Sequence, residues 1–253
     1  MDFIVSADSD IGISKEINQD SICIKTAVAD ADKAALVLVC DGMGGLSKGE
    51  IAAAAVVREL SDWFDNRFAD VFDSWELIKR DILETLQKIN SKIAAYGQKN
   101  RVQLGTTATG MIVVNSKYMI FHVGDTRVYK INSEISRLTE DHTFVSREIS
   151  EGRMTSEQAD SDPRRNALTQ CIGANGEMTP DISFGSIESG ANYLFCSDGF
   201  RHVLTEEEIR ENLSPRHVTT RTAMKIKMRS LIETVKERGE KDNISAAMFR
   251  AEF

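Results

Sequence analysis

Three apolar runs of strand length each end in a turn that carries an aspartate. Ala35 to Cys40 leads into Asp41-Gly42-Met43-Gly44-Gly45, Tyr118 to Val123 into Gly124-Asp125, and Tyr193 to Ser197 into Asp198-Gly199. Two further acids stand just ahead of such runs: Asp20 before Ser21 to Val28, and Asp242 before Ile244 to Phe249. In an antiparallel sheet the end of one strand lies beside the start of its neighbour, so three exits and two entrances can share one rim. Carboxylates gathered there repel and raise each other's pKa. Divalent cations resolve that conflict, and an all-oxygen donor set favours Mg²⁺ or Mn²⁺ over Zn²⁺. Two such ions about 3.5–4 Å apart can activate a water and hold a phosphate in line. Taken singly, Asp41-Gly42 or Asp198-Gly199 is a common turn pair. Gly44-Gly45 serves a tight turn as readily as a close approach to a ligand. Only the combined set points to chemistry.

The rest of the pattern supplies the sheets. Strands are expected at Asp2 to Ala7, Ser21 to Val28, Ala35 to Cys40, Thr106 to Val114, Tyr118 to Val123, Arg127 to Ile131, Ile182 to Ile187, Tyr193 to Ser197 and Ile244 to Ala251. Asn115-Ser116 and Asn132-Ser133 read as tight turns. Ser47, with Glu50 at the capping-box position, is expected to open a helix from about Lys48 to Phe64. Its apolar side is read as Ile51, Ala54, Ala55, Val56 and Leu60. A second helix runs from about Trp75 to Tyr96, with Ile78, Ile82, Leu86, Ile89 and Ile93 at helical spacing. Thr205 with Glu208 opens a short helix, and Thr219 or Thr220 opens one that reaches about Arg238. Strands and long helices without βαβ alternation imply antiparallel sheets with helices packed outside. A run such as Ala35-Leu36-Val37-Leu38-Val39 fits a strand covered on both faces. One domain spanning 1–253 is expected, with an inserted flap at about 142–175, where the sequence turns polar and Thr155 with Gln158 caps a short helix before Asp162-Pro163.

Charge and composition exclude several classes. The net charge of −8 and the absence of a Lys/Arg cluster argue against a nucleic-acid or membrane-surface partner. Met1 to Val5 has no signal-peptide pattern, and no apolar stretch reaches about 18 residues, so a cytoplasmic chain is expected. Cys23, Cys40, Cys171 and Cys196 match no zinc template and read as buried thiols.

The motifs, in their order, resemble those of the metal-dependent protein phosphatases, the type 2C family, in its bacterial form. They are Gly12-Ile13-Ser14-Lys15-Glu16-Ile17-Asn18-Gln19-Asp20, then Asp41-Gly42-Met43-Gly44-Gly45, Gly105-Thr106-Thr107-Ala108 and Val123-Gly124-Asp125-Thr126-Arg127. Leu138-Thr139-Glu140-Asp141-His142, Pro163-Arg164-Arg165-Asn166-Ala167-Leu168-Thr169, Ser197-Asp198-Gly199 and Lys241-Asp242-Asn243-Ile244-Ser245 complete the series.

The resemblance implies an α+β fold: a four-layer α-β-β-α sandwich of two antiparallel sheets with helix pairs outside. It implies hydrolysis of phosphoserine and phosphothreonine in proteins by a water bridging two divalent cations, Mg²⁺ or Mn²⁺. Asp41 would bridge the two ions, and Gly42 would offer its carbonyl to one. Asp20 would hold one side directly or through water, and Asp198 and Asp242 the other. Asp125, helped by Asp198, would serve a third, weaker ion. Implied partners are phosphorylated proteins and a cognate Ser/Thr kinase, with the chain acting as a monomer. An inactive sensor or scaffold on this fold, and a small-molecule phosphatase, are the alternatives.

Two positions depart from the family. Lys15 stands where Arg usually grips substrate phosphate, and it offers a point charge in place of a two-pronged fork. Lys15 is still assigned to substrate phosphate, as a catalytic and substrate-binding residue beside Asp41. Met43 replaces a His found in many eukaryotic members, which removes the general acid from that motif. Of the remaining candidates, His122 reads as core, His142 opens the flap, and His202 and His217 show no ligand spacing. Arg164 and Arg165 read as a solvated basic pair unless they meet an acidic or phosphorylated substrate.

Overall fold

The computed structural model describes residues 2–29, 32–43, 48–173 and 178–253. In chain order its elements begin with β1 (Asp2–Asp10), β2 (Ser21–Ala29), β3 (Asp32–Cys40) and β4 (Gly42–Met43). Then come α1 (Gly49–Asn66), α2 (Trp75–Asn100), β5 (Gly105–Thr106), β6 (Ala108–Val114), β7 (Lys117–Val123), β8 (Arg127–Ile131) and β9 (Ile135–Arg137). The last part holds α3 (Phe144–Ser150), α4 (Ser156–Ser161), β10 (Asp181–Ser186), β11 (Asn192–Cys196), α5 (Asp198–Arg201), α6 (Glu206–Leu213), α7 (Arg221–Glu237) and β12 (Ile244–Glu252).

Two five-stranded antiparallel sheets form, in the orders β1-β12-β11-β8-β9 and β10-β7-β6-β3-β2. β3 shows why they stack. Its Ala35, Val37 and Val39 pack with Tyr193, Phe195 and Phe249 of the other sheet, while Leu36, Leu38 and Cys40 face α1 and α2. The strand is therefore buried on both faces, as its unbroken apolar run requires. On the far side, Leu194, Ala246 and Met248 meet α6 and α7 through Ile209, Leu213, Met228 and Ile232. The result is the expected four-layer sandwich with helices outside.

α2 buries every isoleucine and leucine expected of it, from Ile78 to Ile93. Thr205 and Thr155 close capping boxes with Glu208 and Gln158, and Thr220 caps α7 by accepting from the Ala223 N–H. Asn115 takes a left-handed backbone in the β6–β7 turn.

Four expectations need correction. The N-cap of α1 is Lys48, with a left-handed backbone and no side-chain cap, while Ser47 lies outside the described residues. Glu50 accepts from the Gln19 side chain at 3.3 Å. The buried face of α1 is Ala52, Ala53, Val56, Leu60, Trp63 and Phe64, with Ile51 and Ala54 exposed. Four successive alanines carry no phase information, so the face was read a position or two out of register. Finally, the strand expected from Thr106 to Val114 breaks at Thr107. That residue's N–H donates to the Asp41 carbonyl, and Gly105–Thr106 pairs with Gly42–Met43 as a separate ribbon.

Residues 143–168 carry α3 and α4 and stand apart in their bonding. Thr143 and Leu168 bridge at the base of the segment. Gly44-Gly45, and the expected end of this insertion near 175, lie outside the described residues.

Candidate metal centre

Strand register brings the five acids to one end of the sandwich. Ser21 pairs with Cys40, so Asp20 and Asp41 are the next residues out on adjacent strands. In the other sheet Cys196 pairs with both Ala246 and Arg127, which sets Asp198, Asp242 and Asp125 along its matching edge. The β7–β8 connection crosses between the sheets at Gly124-Asp125, so Asp125 joins the two edges.

Buried polar side chains fix this rim. The Asn243 amide donates to the Ile11 and Ile17 carbonyls, and its oxygen accepts from the Gln19 N–H at 2.9 Å. One asparagine thereby holds the 11–19 loop, and with it Asp20, against the start of β12. Each such bond contributes about 1 kcal/mol net, and losing the amide would orphan buried backbone groups at greater cost. Asp41 is held through its backbone: its N–H donates to Thr107 Oγ1, and its carbonyl accepts from the Thr107 N–H and Thr106 Oγ1, all at 2.9 Å. Gly42 has no room for a side chain, since a Cβ there would sit 2.4 Å from the Gln19 and Gly49 carbonyl oxygens. The first residue of α1 consequently abuts the Asp41 turn and presents the positive end of the helix to it.

The electrostatics of the acids are unfavourable as they stand. Burial raises the Asp20 pKa to about 7, with Asp198 and Asp242 adding to the shift. Both Asp20 carboxylate oxygens are buried and lack a hydrogen-bond partner, and the Ser245 and Ser197 hydroxyls moderate the shift without reaching bonding geometry. Ionising a carboxyl so placed costs roughly 4 kcal/mol. Burial also drives Asp41 well above the ordinary carboxylate range, with Asp20, Asp198, Asp125 and Asp242 all contributing. Burial and Asp198 raise Asp125 to about 7, against the opposing pull of Arg201. Asp198 Oδ1 is buried and unpartnered as well. Among the described residues no three His, Cys, Asp or Glu side chains close into a ready-made cage. The acids stand within electrostatic reach of one another, and three of their buried oxygens, both of Asp20 and one of Asp198, have no partner. That donor set is all oxygen, and it fits hard divalent cations.

Lys15 reaches this rim, with its ammonium 2.7 Å from Asp242 Oδ1. Burial lowers its pKa, but Asp242, Asp41 and Asp198 outweigh that and raise it overall. The pair is about 40 % exposed on each side, so its own worth is under about 1 kcal/mol.

Two open cavities adjoin the rim. One of about 880 Å³ reaches from Asp125 and Arg201 to Ser146 and Ala159 in the 143–168 segment. The other, about 480 Å³, lies over Lys15, Glu240 and Asp242. Arg165, Asn166 and His202 line both. The two neighbouring arginines separate here. Arg164 is tied to Asp162 and lies 3.9 Å over the Phe144 ring, whereas Arg165 has no side-chain partner among the described residues.

Sequence reasoning missed His202. It stands one helical turn after Asp198, with Nε2 3.5 Å from Asp198 Oδ2 and Nδ1 3.4 Å from Glu240 Oε2. Burial lowers its pKa, yet Glu240 and Asp198 raise it overall. The i,i+4 spacing from Asp198 was the available signal. Beneath the larger cavity Arg127 forks onto Asp141, and Arg201 bonds the Asp125 carbonyl at 3.0 Å, a scaffold that the sequence did not single out.

The other candidates have structural roles. His122 is core as expected: it bonds Thr109 Oγ1 and the Glu140 carbonyl, and burial pushes its pKa down to about 4. No disulfide joins the cysteines, and burial pushes Cys196 up to about 12 and Cys40 well up, so neither supplies a thiolate.

In class, the chain is an α+β sandwich with an acidic rim at one end of its paired sheets. It belongs to the protein phosphatase 2C family, whose sequence model matches residues 13–244. Among curated relatives it is 29% identical over 247 residues to protein phosphatase PhpP of Streptococcus pneumoniae, covering 96% of each chain. The solved serine/threonine phosphatase of S. agalactiae superposes with a TM-score of 0.87 at 30% identity, over 99% of this chain and 100% of that one. The catalytic domain of the serine threonine protein phosphatase PstP, in complex with two manganese ions, gives a TM-score of 0.80 at 27% identity, over 99% of each chain.

Proposed function

We propose that this chain removes phosphate from serine and threonine side chains of proteins in a Mg²⁺- or Mn²⁺-dependent hydrolysis. The observation that carries this reading is Asp20, whose two carboxylate oxygens are buried without a partner among four other acids. In a chain of this family, such a group calls for a cation.

Asp41 is the candidate bridge between two core ions, with Asp20 and the Gly42 carbonyl on one side and Asp198 and Asp242 on the other. Asp125 is the candidate ligand of a third, weaker ion. Bound divalent cations acidify water and neutralise charge on the phosphoryl oxygens. The chain's own residues do the rest. Asn243 and Thr107 hold the acids in register, and His202 orients Asp198. Lys15, beside Asp242 in the same cavity, would offer a point charge to substrate phosphate. Arg165 offers an unpaired fork on the other side of the same opening.

The described part of the expected 142–175 insertion, residues 142–173, is proposed as a flap over this opening in a single domain. The two cavities are broad and open, which favours a protein segment over a small metabolite. A cognate kinase, a monomeric state and a cytoplasmic setting belong to the same proposal, and no described helix is long and apolar enough to cross a membrane.

Turnover of a phosphothreonine peptide and of an aryl phosphate with Mn²⁺ tests this. Activity is expected with Mn²⁺, lost in chelator and regained on adding the ion back. Turnover that survives exhaustive chelation contradicts the metal reading, and turnover of phosphometabolites alone contradicts the protein substrate. No turnover of any phosphate ester points to an inactive scaffold.

A further inference from the structure

His142 carries four hydrogen bonds that tie it to the Gly124 turn, to Thr169 and to Asp181. Its backbone N–H donates to the Gly124 carbonyl, and its carbonyl accepts from the Thr169 N–H, both at 2.7 Å. Its Nδ1 lies 3.2 Å from the Gly124 N–H, and its Nε2 lies 3.1 Å from Asp181 Oδ2. Since Nδ1 accepts, the ring proton sits on Nε2 and donates to Asp181. The ring packs against His122 with centroids 4.7 Å apart, so it has little freedom to turn.

Both partners of this node matter. Gly124 has φ +111°, and a Cβ there would sit 2.4 Å from Thr107 Cγ2, so no other residue fits the turn that carries Asp125. On the other side, every hydrogen bond and ion pair of residues 144–167 among the described residues stays within 143–168. The insertion is thus a self-bonded unit whose two roots meet at His142 and Thr169.

We propose that His142 is a positioning residue that couples the stance of the flap to the Asp125 carboxylate. The imidazole accepts from the N–H of Gly124 while the backbone N–H of the same residue donates to its carbonyl, so both peptide groups flanking Gly124 are held. Moving the flap root then moves the turn that presents Asp125. The proposal rests on the assignment of Asp125 to the third cation.

The test is a Mn²⁺ titration read two ways, as ion binding by calorimetry and as activation of aryl-phosphate hydrolysis, with thermal unfolding in chelator as a check on folding; each shift below is expected in both readouts. An asparagine oxygen can take the place of Nδ1 and accept from Gly124, whereas a glutamine amide can take only the place of Nε2. His142→Gln is expected to raise the half-activating Mn²⁺ concentration about tenfold or more, the usual effect of losing an outer-shell partner, while His142→Asn stays within about threefold. Asp181→Ala, which spares the Gly124 bond, is expected to behave like His142→Asn. Equal responses of the two His142 variants, or a tenfold shift from Asp181→Ala, overturn the coupling, and the second result does so even if His142→Gln does not fold. Asp125→Asn separates two kinds of failure. An unchanged Mn²⁺ response there sinks the Asp125 assignment itself. A shift there with none in His142→Gln sinks only the role of His142.

Discussion

The acidic rim and the 143–168 insertion sit side by side and are built on opposite rules. The rim is held by bonds from far along the chain. Asn243 reaches back to Ile11, Ile17 and Gln19, and Thr107 reaches back to Asp41. It keeps unsatisfied carboxylates in place because the two sheets and four helices around them give them no route to relax. The insertion is held by near neighbours: Arg153 on Glu148, Arg164 on Asp162, and Thr155 in its capping box. Unfavourable charge can be stored only where the surroundings are over-determined. A segment that must admit a bulky substrate is better made of local bonds that move together. The rim, together with the His142 root that touches it, should therefore govern metal dependence, and the body of the insertion substrate affinity.

Removing the proposed bridge should have the largest effect. Asp41→Asn is expected to lower kcat about 10³-fold or more, since several kcal/mol of charge stabilisation are lost with it. Its stability in chelator should equal or exceed that of the parent, because a repelled carboxylate has gone. Loss of the fold would instead make Asp41 a structural residue.

Next in size is the stored repulsion at Asp20. A carboxyl whose folded pKa is raised contributes stability below its unfolded pKa of about 4 and loses that contribution as pH rises through its folded value near 7. In chelator, the stability advantage of Asp20→Asn over the parent should therefore grow from pH 5 to pH 8, toward roughly 4 kcal/mol. Saturating Mn²⁺ should erase or reverse it. A pH-independent difference would show that Asp20 is not held against its charge.

Within the insertion, the neighbouring arginines should part. Arg165→Ala is expected to raise KM for a phosphopeptide about tenfold, the worth of a charge-assisted hydrogen bond, with the Mn²⁺ response unchanged. Arg164→Ala should leave KM near the parent value and lower the protection of α3 and α4 in hydrogen exchange. The reverse assignment would blur the distinction between rim and flap. The smallest effect belongs to Lys15→Met. The half-exposed pair with Asp242 should cost under about 1 kcal/mol in chemical denaturation, while the phosphopeptide KM rises severalfold.

Much of this was legible in the sequence because its signals are local. Each rim acid stands at a strand end, and strand register alone brings Asp20 beside Asp41. The isoleucines of α2 carry a clear period, and the Thr155 and Thr205 boxes announce their helices. What escaped depends on tertiary neighbours. Ala52 to Ala55 look alike from every side, so only the packed sheet chooses Ala52 and Ala53. β9 is three residues long and exists as the partner of β8. Arg164 and Arg165 are equivalent in the sequence until Phe144 and Asp162 claim the first. His202 acquires meaning only when Glu240 folds against its other face.

Anomalous diffraction from crystals grown with Mn²⁺ tests the central claim most directly. Two strong peaks about 3.5–4 Å apart, both in contact with Asp41 and flanked by Asp20, Asp198 and Asp242, are the predicted result. Crystals that show no manganese among these acids, or show it only elsewhere on the surface, would contradict the account.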